Sequence, residues 1–395
     1  MRYNSTVRPF PTIFGLAFVG ALSSTARAAP LIFDADVPEA PGDFVFVPFN
    51  VPEGTVEIEV RHSDMSADNI LDFGLDDPKG FRGWGGGNEE AAIVGVEAAS
   101  RSYLPGPIAP AEWRVVIGKA KIKVKPAHYH IEVDFRTTAT LPKVPRTPYA
   151  PPSAPLSTSA RWYAGDFHVH SRESGDARPT IDDVATFAAS RKLDFIELSD
   201  HNTVSQDSLI AAAQAKTRIL LIPGVEYTTY AGHGNAIGAT AWIDHRIGTS
   251  STILQAVDAI HAQGALFSIN HPGLDIGDQC IGCGWKHDLP ADKVDAIEIE
   301  TGALKPVGFL FHPLAINLWE KQLATGAHIA ALGGSDDHSA GIETDAKSSP
   351  IGSPTTLVFA RRDFNLAVAA YNEAVRQFPT AMLARLFGFR AAGTF

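Results

Sequence analysis

The run Asp166-Phe167-His168-Val169-His170-Ser171 sets two histidines at i and i+2, and Ser335-Asp336-Asp337-His338 adds a carboxylate and another histidine much later in the chain. On a strand, positions i and i+2 share a face, so two imidazoles so spaced can serve one metal ion. Between the two motifs lie Ser199-Asp200-His201, Gly224-Val225-Glu226, Gly232-His233-Gly234 and Asn270-His271-Pro272, each closing a short apolar run. Six of the chain's 14 histidines belong to this set. A lone His or Asp at a strand end is ordinarily a cap or a hydrogen-bonded core residue. Several such segments in one order, each at the end of a predicted strand, point instead to a metal site. Two divalent ions held by imidazoles and carboxylates can share a hydroxide and aim it at phosphorus or at a carbonyl carbon. The chemistry is then hydrolysis.

The elements that must position these groups alternate. Apolar runs at Asp194–Leu198, Arg218–Ile222, Ala265–Ile269, Val294–Ile299 and His328–Leu332 are long enough for buried parallel strands. Helical patterns fall between them. One covers Ile181–Ser190 after the N-cap Thr180, with Asp183 placed for a capping box; others cover Ser251–Gln263, stopping at Gly264, and Pro313–Thr325, stopping at Gly326. Strand then helix, repeated, predicts an α/β sheet of parallel strands, open or closed into a barrel. Functional groups then gather at the carboxyl ends of the strands, where these residues sit. Ahead of this region, residues 29–136 show short alternating segments, at Asp43–Val51, Thr55–Arg61, Trp113–Ile117 and Tyr129–Phe135, the pattern of a β-sandwich. Trp84 there reads as a packed aromatic or as a carbohydrate platform. A proline-rich linker occupies 137–160, and residues 363–395 read as a C-terminal helical extension, with a helix over Leu366–Arg376 and an amphipathic tail over Met382–Phe389.

The order HxH, DH, GxE, H, NHP, SDxH resembles that of the PHP (polymerase and histidinol phosphatase) metallohydrolase superfamily over residues 161–362. Within it the chain is most similar to the secreted CehA/McbA-like branch, grouped with carbaryl hydrolase, through Asp166–Asp176, Ser199–Thr203, Gly232–Gly238 and Gly333–His338. The resemblance implies a distorted (β/α)7 barrel behind the all-β sandwich-like domain, with two or three divalent ions (Zn, Mn or Fe). It implies as ligands His168, His170, Asp176, His201, Glu226, His233, His271, Asp336 and His338. Asp200, which strand alternation turns away from His201, is expected behind the ligands. Nine donors exceed what one ion needs. Asp336, Glu226 and Asp176 are the expected bridging or charge-balancing carboxylates, and His338 or His271 the expected proton carrier to the leaving group. Arg172 can reach a substrate phosphate or carboxylate, or pair with Glu173 or Asp176. After the strand Val294–Glu300 the resemblance implies Trp-Asn-Gly; this chain has Thr301-Gly302-Ala303, so the substrate of a relative does not transfer. Phosphoester hydrolysis is the expected activity. Carbamate or carboxylic ester hydrolysis is the alternative, and a non-catalytic periplasmic metal-binding protein a further one.

Arg2 and Arg8 precede an apolar stretch, Phe14–Leu22, and Ala26-Arg27-Ala28 has the form of a signal-peptidase site. Residues 1–28 are therefore expected to be a signal peptide cleaved near Ala28, and the mature chain to be periplasmic or secreted. No second apolar run approaches the length of a membrane span, and the arginines are not paired as a twin-arginine signal requires. Loss of the three signal arginines takes the formal charge from −11 to −14, which disfavours nucleic-acid backbone binding and favours a small-molecule ester as partner. No feature of the sequence sets an oligomeric state. Cys280 and Cys283 form one C-x-x-C, which in an exported protein predicts a small-loop disulfide; the other reading is a zinc pair completed by His287. They fall in an excursion, Gly273–Asp292, expected to be a lid over the site or a pinned surface loop. His245, His261, His312 and His328 fit no motif and are expected to be structural or exposed.

Overall fold

A computed structural model describes residues 29–360 except 40, 65–67, 153, 155, 158, 305–306 and 343–348. The expected signal peptide and the expected C-terminal extension lie outside the described residues.

Alternating apolar residues in the first part build eight strands: β1 (Leu31–Asp36), β2 (Phe44–Asn50), β3 (Glu57–Asp64), β4 (Ile70–Asp77), β5 (Gly80–Gly86), β6 (Ala92–Gly95), β7 (Glu112–Lys121) and β8 (His128–Arg136). They form two four-stranded sheets, β1-β8-β3-β6 and β2-β7-β4-β5, with antiparallel pairing throughout. Ile58, Leu75, Trp113, Ile117 and Ile131 fill the shared core. The alternation that sends these side chains inward sends their neighbours out, so the outer face of β1 and β8 carries Asp34, Asp36, His128 and His130. Trp84 is 6% exposed and packs against Phe44 and His245; it is a buried aromatic and not a carbohydrate platform.

The second part holds β9 (Arg161–Asp166), β10 (Phe195–Leu198), β11 (Leu220–Pro223), β12 (Glu226–Thr229), β13 (Gly232–Ile237), β14 (Leu266–Ile269), β15 (Ala296–Thr301), β16 (Ala330–Gly334) and β17 (Thr356–Ala360). Its helices are α1 (Ile181–Ser190), α2 (Asp207–Gln214), α3 (Ile253–Ala262) and α4 (His312–Leu323). Thr180 accepts from the Asp183 N–H while the Asp183 carboxylate accepts from the Thr180 N–H, the reciprocal cap that the sequence predicts for α1. Gly264 and Gly326 stand just past α3 and α4 at φ +79° and +89°, the left-handed conformation that ends a helix.

The strands do not form the expected run of parallel β/α units. They make a four-stranded sheet, β11-β10-β9-β17, and a five-stranded one, β12-β13-β14-β15-β16, both mixed. The cause is local. The link Tyr230-Ala231 is too short for a crossover, so β12 and β13 fold back as a hairpin and β13 runs antiparallel to both neighbours. β17 returns antiparallel along β9. The class is thus α/β with mixed sheets, and no closed barrel forms among the described residues. Isolated parallel bridges, Val169 with Asp337 and His201 with Glu226, join the two sheets along one rim at the carboxyl ends of β9, β10 and β16.

Candidate metal centre

That rim carries the histidines. Asp166, at the end of β9, is fully buried and accepts backbone N–H groups from three segments: His168 at 3.1 Å, Ser335 at 3.1 Å and Gly352 at 2.7 Å. Burial pushes its carboxyl up to about 6 although these donors oppose the shift. It ties the His168 strand end to the Ser335 loop, which then ladders alongside: Asp336 N–H donates to His168 O at 2.9 Å, and His170 N–H to Asp337 O at 3.0 Å. The two ends of the sequence pattern are thereby brought side by side.

Glu226 stands at the middle. One or other of its oxygens lies 3.2 Å from His168 Nε2, 3.6 Å from His170 Nε2, 2.8 Å from His201 Nδ1, 3.4 Å from His233 Nδ1 and 3.3 Å from His271 Nε2. Asp336 Oδ1 lies 3.2 Å from His168 Nε2 and 3.1 Å from His170 Nε2. Asp176 Oδ2 joins the outer pair, 3.3 Å from His201 Nε2 and 3.4 Å from His338 Nε2. All nine sequence-predicted ligands therefore meet in one cluster. His168, His170, Glu226, His233 and His271 are buried; the side chains of Asp336, His201, His338 and Asp176 are 16%, 20%, 28% and 56% exposed, so the cluster opens to solvent on the side of the last three.

Each imidazole has one nitrogen tied to a neighbour; the other faces Glu226 or Asp336 in His168, His170, His233 and His271, and Asp176 at the open edge in His201 and His338. His168 Nδ1 meets Glu298 Oε2 at 2.7 Å, His170 Nδ1 meets Ser174 Oγ at 2.8 Å, and His201 Nδ1 meets Thr228 Oγ1 at 2.7 Å. His233 Nε2 faces Ile281 O at 3.2 Å, His271 Nδ1 faces Cys283 O at 3.2 Å, and His338 Nδ1 faces Asp336 O at 3.0 Å. Such tethers fix ring orientation and tautomer in metal sites. The inward atoms His168 Nε2, His170 Nε2 and His233 Nδ1, and Glu226 Oε2, are buried yet lack any hydrogen bond of good geometry. A buried polar atom without a partner is costly, and a cation shared by His168, His170 and Glu226 would satisfy three of the four. The donor set fits a divalent ion. Compact groups able to hold one are His168–His170–Glu226, His168–His271–Asp336 and His170–His201–His338; a fourth, His233–His271–Cys283, is disqualified because Cys283 is bonded to Cys280.

Electrostatics follow this crowding. Burial disfavours the charged form of His338, yet Asp176 and Asp336 outweigh it and push the ring up to about 9. Burial together with the neighbouring rings of His338 and His201 brings His170 down to about 3. Glu226 is held well below the usual carboxylate range, since the surrounding imidazoles more than offset its desolvation.

Asp200 points away from the cluster, as alternation requires. Its oxygens accept the Ser171 N–H at 2.7 Å and the Ser171 hydroxyl at 2.8 Å, and burial pushes its carboxyl up to about 8. It clamps the residue that follows His170. Asp200→Ala is expected to weaken metal binding about 10–100-fold, read by chelator competition on folded protein; an unchanged affinity would remove Asp200 from this role. Arg172 is exposed, and among the described residues its side chain pairs with neither Glu173 nor Asp176. His261 pairs with Asp295 at 2.8 Å, His312 caps the Thr301 backbone, His245 is buried among aromatic rings and His328 is exposed, so none joins the cluster.

Sequence reasoning missed the tethers. Glu298, Ser174 and Thr228 hold rings, and Asn270 Nδ2 donates to Glu226 Oε1 at 3.0 Å and to Asn235 Oδ1 at 2.8 Å. Behind them Asn235 Nδ2 reaches Glu197, a fully buried carboxyl that desolvation raises well above its ordinary range. One signal was present: Ile297-Glu298-Ile299-Glu300 sets carboxylates inside an apolar run, and although i and i+2 share a face on a regular strand, a register shift in β15 between Glu298 and Glu300 leaves only Glu298 buried.

The excursion Gly273–Asp292 lies against the cluster. Cys280 and Cys283 are joined, and the carbonyls of Ile281 and Cys283 are the acceptors for His233 and His271. His287 bonds Thr229 Oγ1 at 2.7 Å, which fastens the far limb of the loop to the β12–β13 hairpin rather than to a cysteine-bound ion. On the opposite side the first part of the chain reaches in. Ser102 donates its hydroxyl to Glu173 O at 2.7 Å and its N–H to Glu173 Oε2 at 3.3 Å, while Arg101 donates to Ala177 O at 2.9 Å. These bonds flank Asp176.

A family model for the LemA family matches residues 352–395, a short stretch that lies mostly outside the described residues. No curated protein matches the chain. Among solved structures, a candidate metal-dependent phosphoesterase from Bifidobacterium adolescentis is 13% identical, at a TM-score of 0.36, over 51% of this chain and 93% of that one. An amidohydrolase from Chromobacterium violaceum with bound sulfate and no metal is 17% identical, at a TM-score of 0.33, over 47% of this chain and 91% of that one. Likenesses this distant fix neither fold nor chemistry.

Proposed function

We propose that this chain is an exported, metal-dependent hydrolase of the PHP type, acting first on phosphoesters, with two or three divalent ions at the Glu226 cluster. The observation that carries the reading is the pattern of the six imidazoles, each tied back through one nitrogen with the other turned toward Glu226, Asp336 or Asp176. His168, His170, Glu226, His233, His271 and Asp336 would hold ions inside the cluster, and His201, His338 and Asp176 at its open edge. Divalent ions bound there would supply Lewis acidity and a nucleophilic water at neutral pH. The chain's own residues do the rest. The buried wall keeps bulk water from the inner face. His338, partly exposed and at the open edge, is placed to pass a proton to a leaving group when it is released from metal, with His271 the alternative under the same condition. Arg172, exposed in the short turn that follows His170 and Ser171, can meet a substrate anion.

A second reading, hydrolysis of carbamates or carboxylic esters, draws on an apolar strip after β15. Phe309, Leu310 and Leu314 are 62%, 61% and 57% exposed, and Leu314 packs beside Gly273 at the start of the excursion. A neutral aryl substrate suits such a surface better than a phosphate does.

The test is a rate comparison of Mn- or Zn-loaded protein on p-nitrophenyl phosphate, bis-p-nitrophenyl phosphate and 1-naphthyl N-methylcarbamate, with Asp336→Ala as blank. Metal-dependent turnover of either phosphate ester is expected. Turnover of the carbamate alone moves the assignment to the second reading. Bound metal with no turnover of any of the three leaves a non-catalytic metal-binding protein.

A further inference from the structure

The two sheets of the second part leave an apolar groove between their edges. Among the described strands β17 pairs with β9 alone and β16 with β15 alone, so each turns one unpaired backbone edge toward the groove. A single side chain stitches them: Thr356 Oγ1 accepts the Gly333 N–H at 2.8 Å and donates to Gly333 O at 2.8 Å. The cavity measures about 580 Å3, and Phe167, Ile237, Leu266, Leu332 and Val358 line it. It lies where β14, β15 and β16 begin, at Leu266, Ala296 and Ala330, and so at the opposite strand ends from the histidine cluster. The apolar surface continues onto the outer face of β17. Leu357, Phe359 and Trp162 are 60%, 48% and 60% exposed, and the last two, paired across β9 and β17, hold their rings 5.1 Å apart. Strand edges flanked by exposed apolar side chains are normally covered, because they otherwise recruit other chains.

We propose that this groove is the seat of the chain's own C-terminal segment, with the apolar side of Met382–Phe389 laid along the edges of β16 and β17. Three observations favour this occupant. Ala360, the last residue of β17, is buried and itself lines the groove, so the chain that follows leaves from the groove's rim. The sequence that follows, outside the described residues, has the right pattern: Met382, Leu386 and Phe389 recur at i, i+4 and i+7, with Leu383 and Phe387 beside them, and read as one apolar stripe. Charge agrees as well. Residues 361–395 carry five arginines against Asp363 and Glu373, whereas the chain as a whole has a formal charge of −11, so a basic tail meets an acidic body. Tethering beside the groove gives the tail a high effective concentration there, which a second copy of the chain in dilute solution lacks.

Cross-linking tests the seat on the whole chain. The two native cysteines are bonded to each other, so in Leu386→Cys the introduced thiol alone takes a benzophenone maleimide. Illumination is expected to join it, within one chain, to residues 330–332 and 356–360. Cross-links between chains that increase with protein concentration, or links that fall elsewhere on the chain, would overturn the proposal, the first in favour of a second copy as occupant. Leu386→Asp/Phe389→Asp supplies a readout that needs no label. It is expected to raise the fluorescence of an apolar dye and to remove amide protection from β16 and β17 while leaving α1 protected. Dye binding and exchange equal to those of the unaltered chain would mean that the tail does not cover the groove. Neither readout depends on what the Glu226 cluster binds.

Discussion

Glu226→Gln is expected to lower turnover by about a thousandfold or more and to strip most of the metal from the chain. The substitution keeps the volume of the side chain, so the buried cluster is not opened. What changes is charge and hydrogen-bond sense. Five imidazoles lie within 3.6 Å of the carboxylate, and an amide would offer them one neutral oxygen and one N–H donor. A nitrogen lone pair that faces an N–H donor is no longer available to a cation. Asn270, which donates to Oε1, would in addition face the amide in one of its two orientations. Metal content by elemental analysis and the rate on the best substrate, measured on protein of unchanged circular dichroism, decide the matter. Wild-type metal content with a rate within about tenfold of wild type would displace Glu226 from the centre of the site.

The second large effect is expected at a distance from the ions. Cys280→Ser/Cys283→Ser should weaken metal binding about 10–100-fold, the range found when partners behind a ligand are lost. The cysteines donate nothing to a cation themselves. Their bond closes a tight loop whose Ile281 and Cys283 carbonyls accept from His233 and His271, and both rings depend on that loop for orientation. Opening the loop returns conformational freedom to the two carbonyls and, through them, to the two imidazoles. Chelator competition on the oxidised protein, the reduced protein and the double variant should place the last two together and apart from the first. Three equal affinities would mean that the loop is held by its other bonds, those of His287 and Lys286 to the β12–β13 hairpin.

The residues of the cluster were legible because strand alternation and ligand chemistry leave a local trace. His168 and His170 share a face for the reason any i, i+2 pair on a strand does, and Asp200 turns from His201 for the same reason. Helices announced themselves through caps, as Thr180 with Asp183 shows. The topology was less legible. Parallel or antiparallel pairing depends on the length of a link and on which sheet edge is free, and only the two-residue turn at Tyr230-Ala231 carried that information. The tethers behind the rings were hidden for another reason. Glu298, Ser174, Thr228 and the carbonyl of Ile281 become partners only once distant segments meet, and a backbone carbonyl has no sequence signature at all.

The bonds from Ser102 bear on how such a protein can be inherited. Glu173 is buried, and the donors to its Oε2 come from both halves of the chain: the Ser102 N–H from the sandwich and the Ser205 hydroxyl at 2.6 Å from beyond β10. A buried carboxylate that loses one of two donors costs a few kcal/mol, a large share of the stability of most folds. A recombination event that exchanged the sandwich for an unrelated module would incur that cost beside Asp176, at the mouth of the cluster. The sandwich is thus tied into the mouth of the cluster, and exchanging it is expected to cost stability at that point.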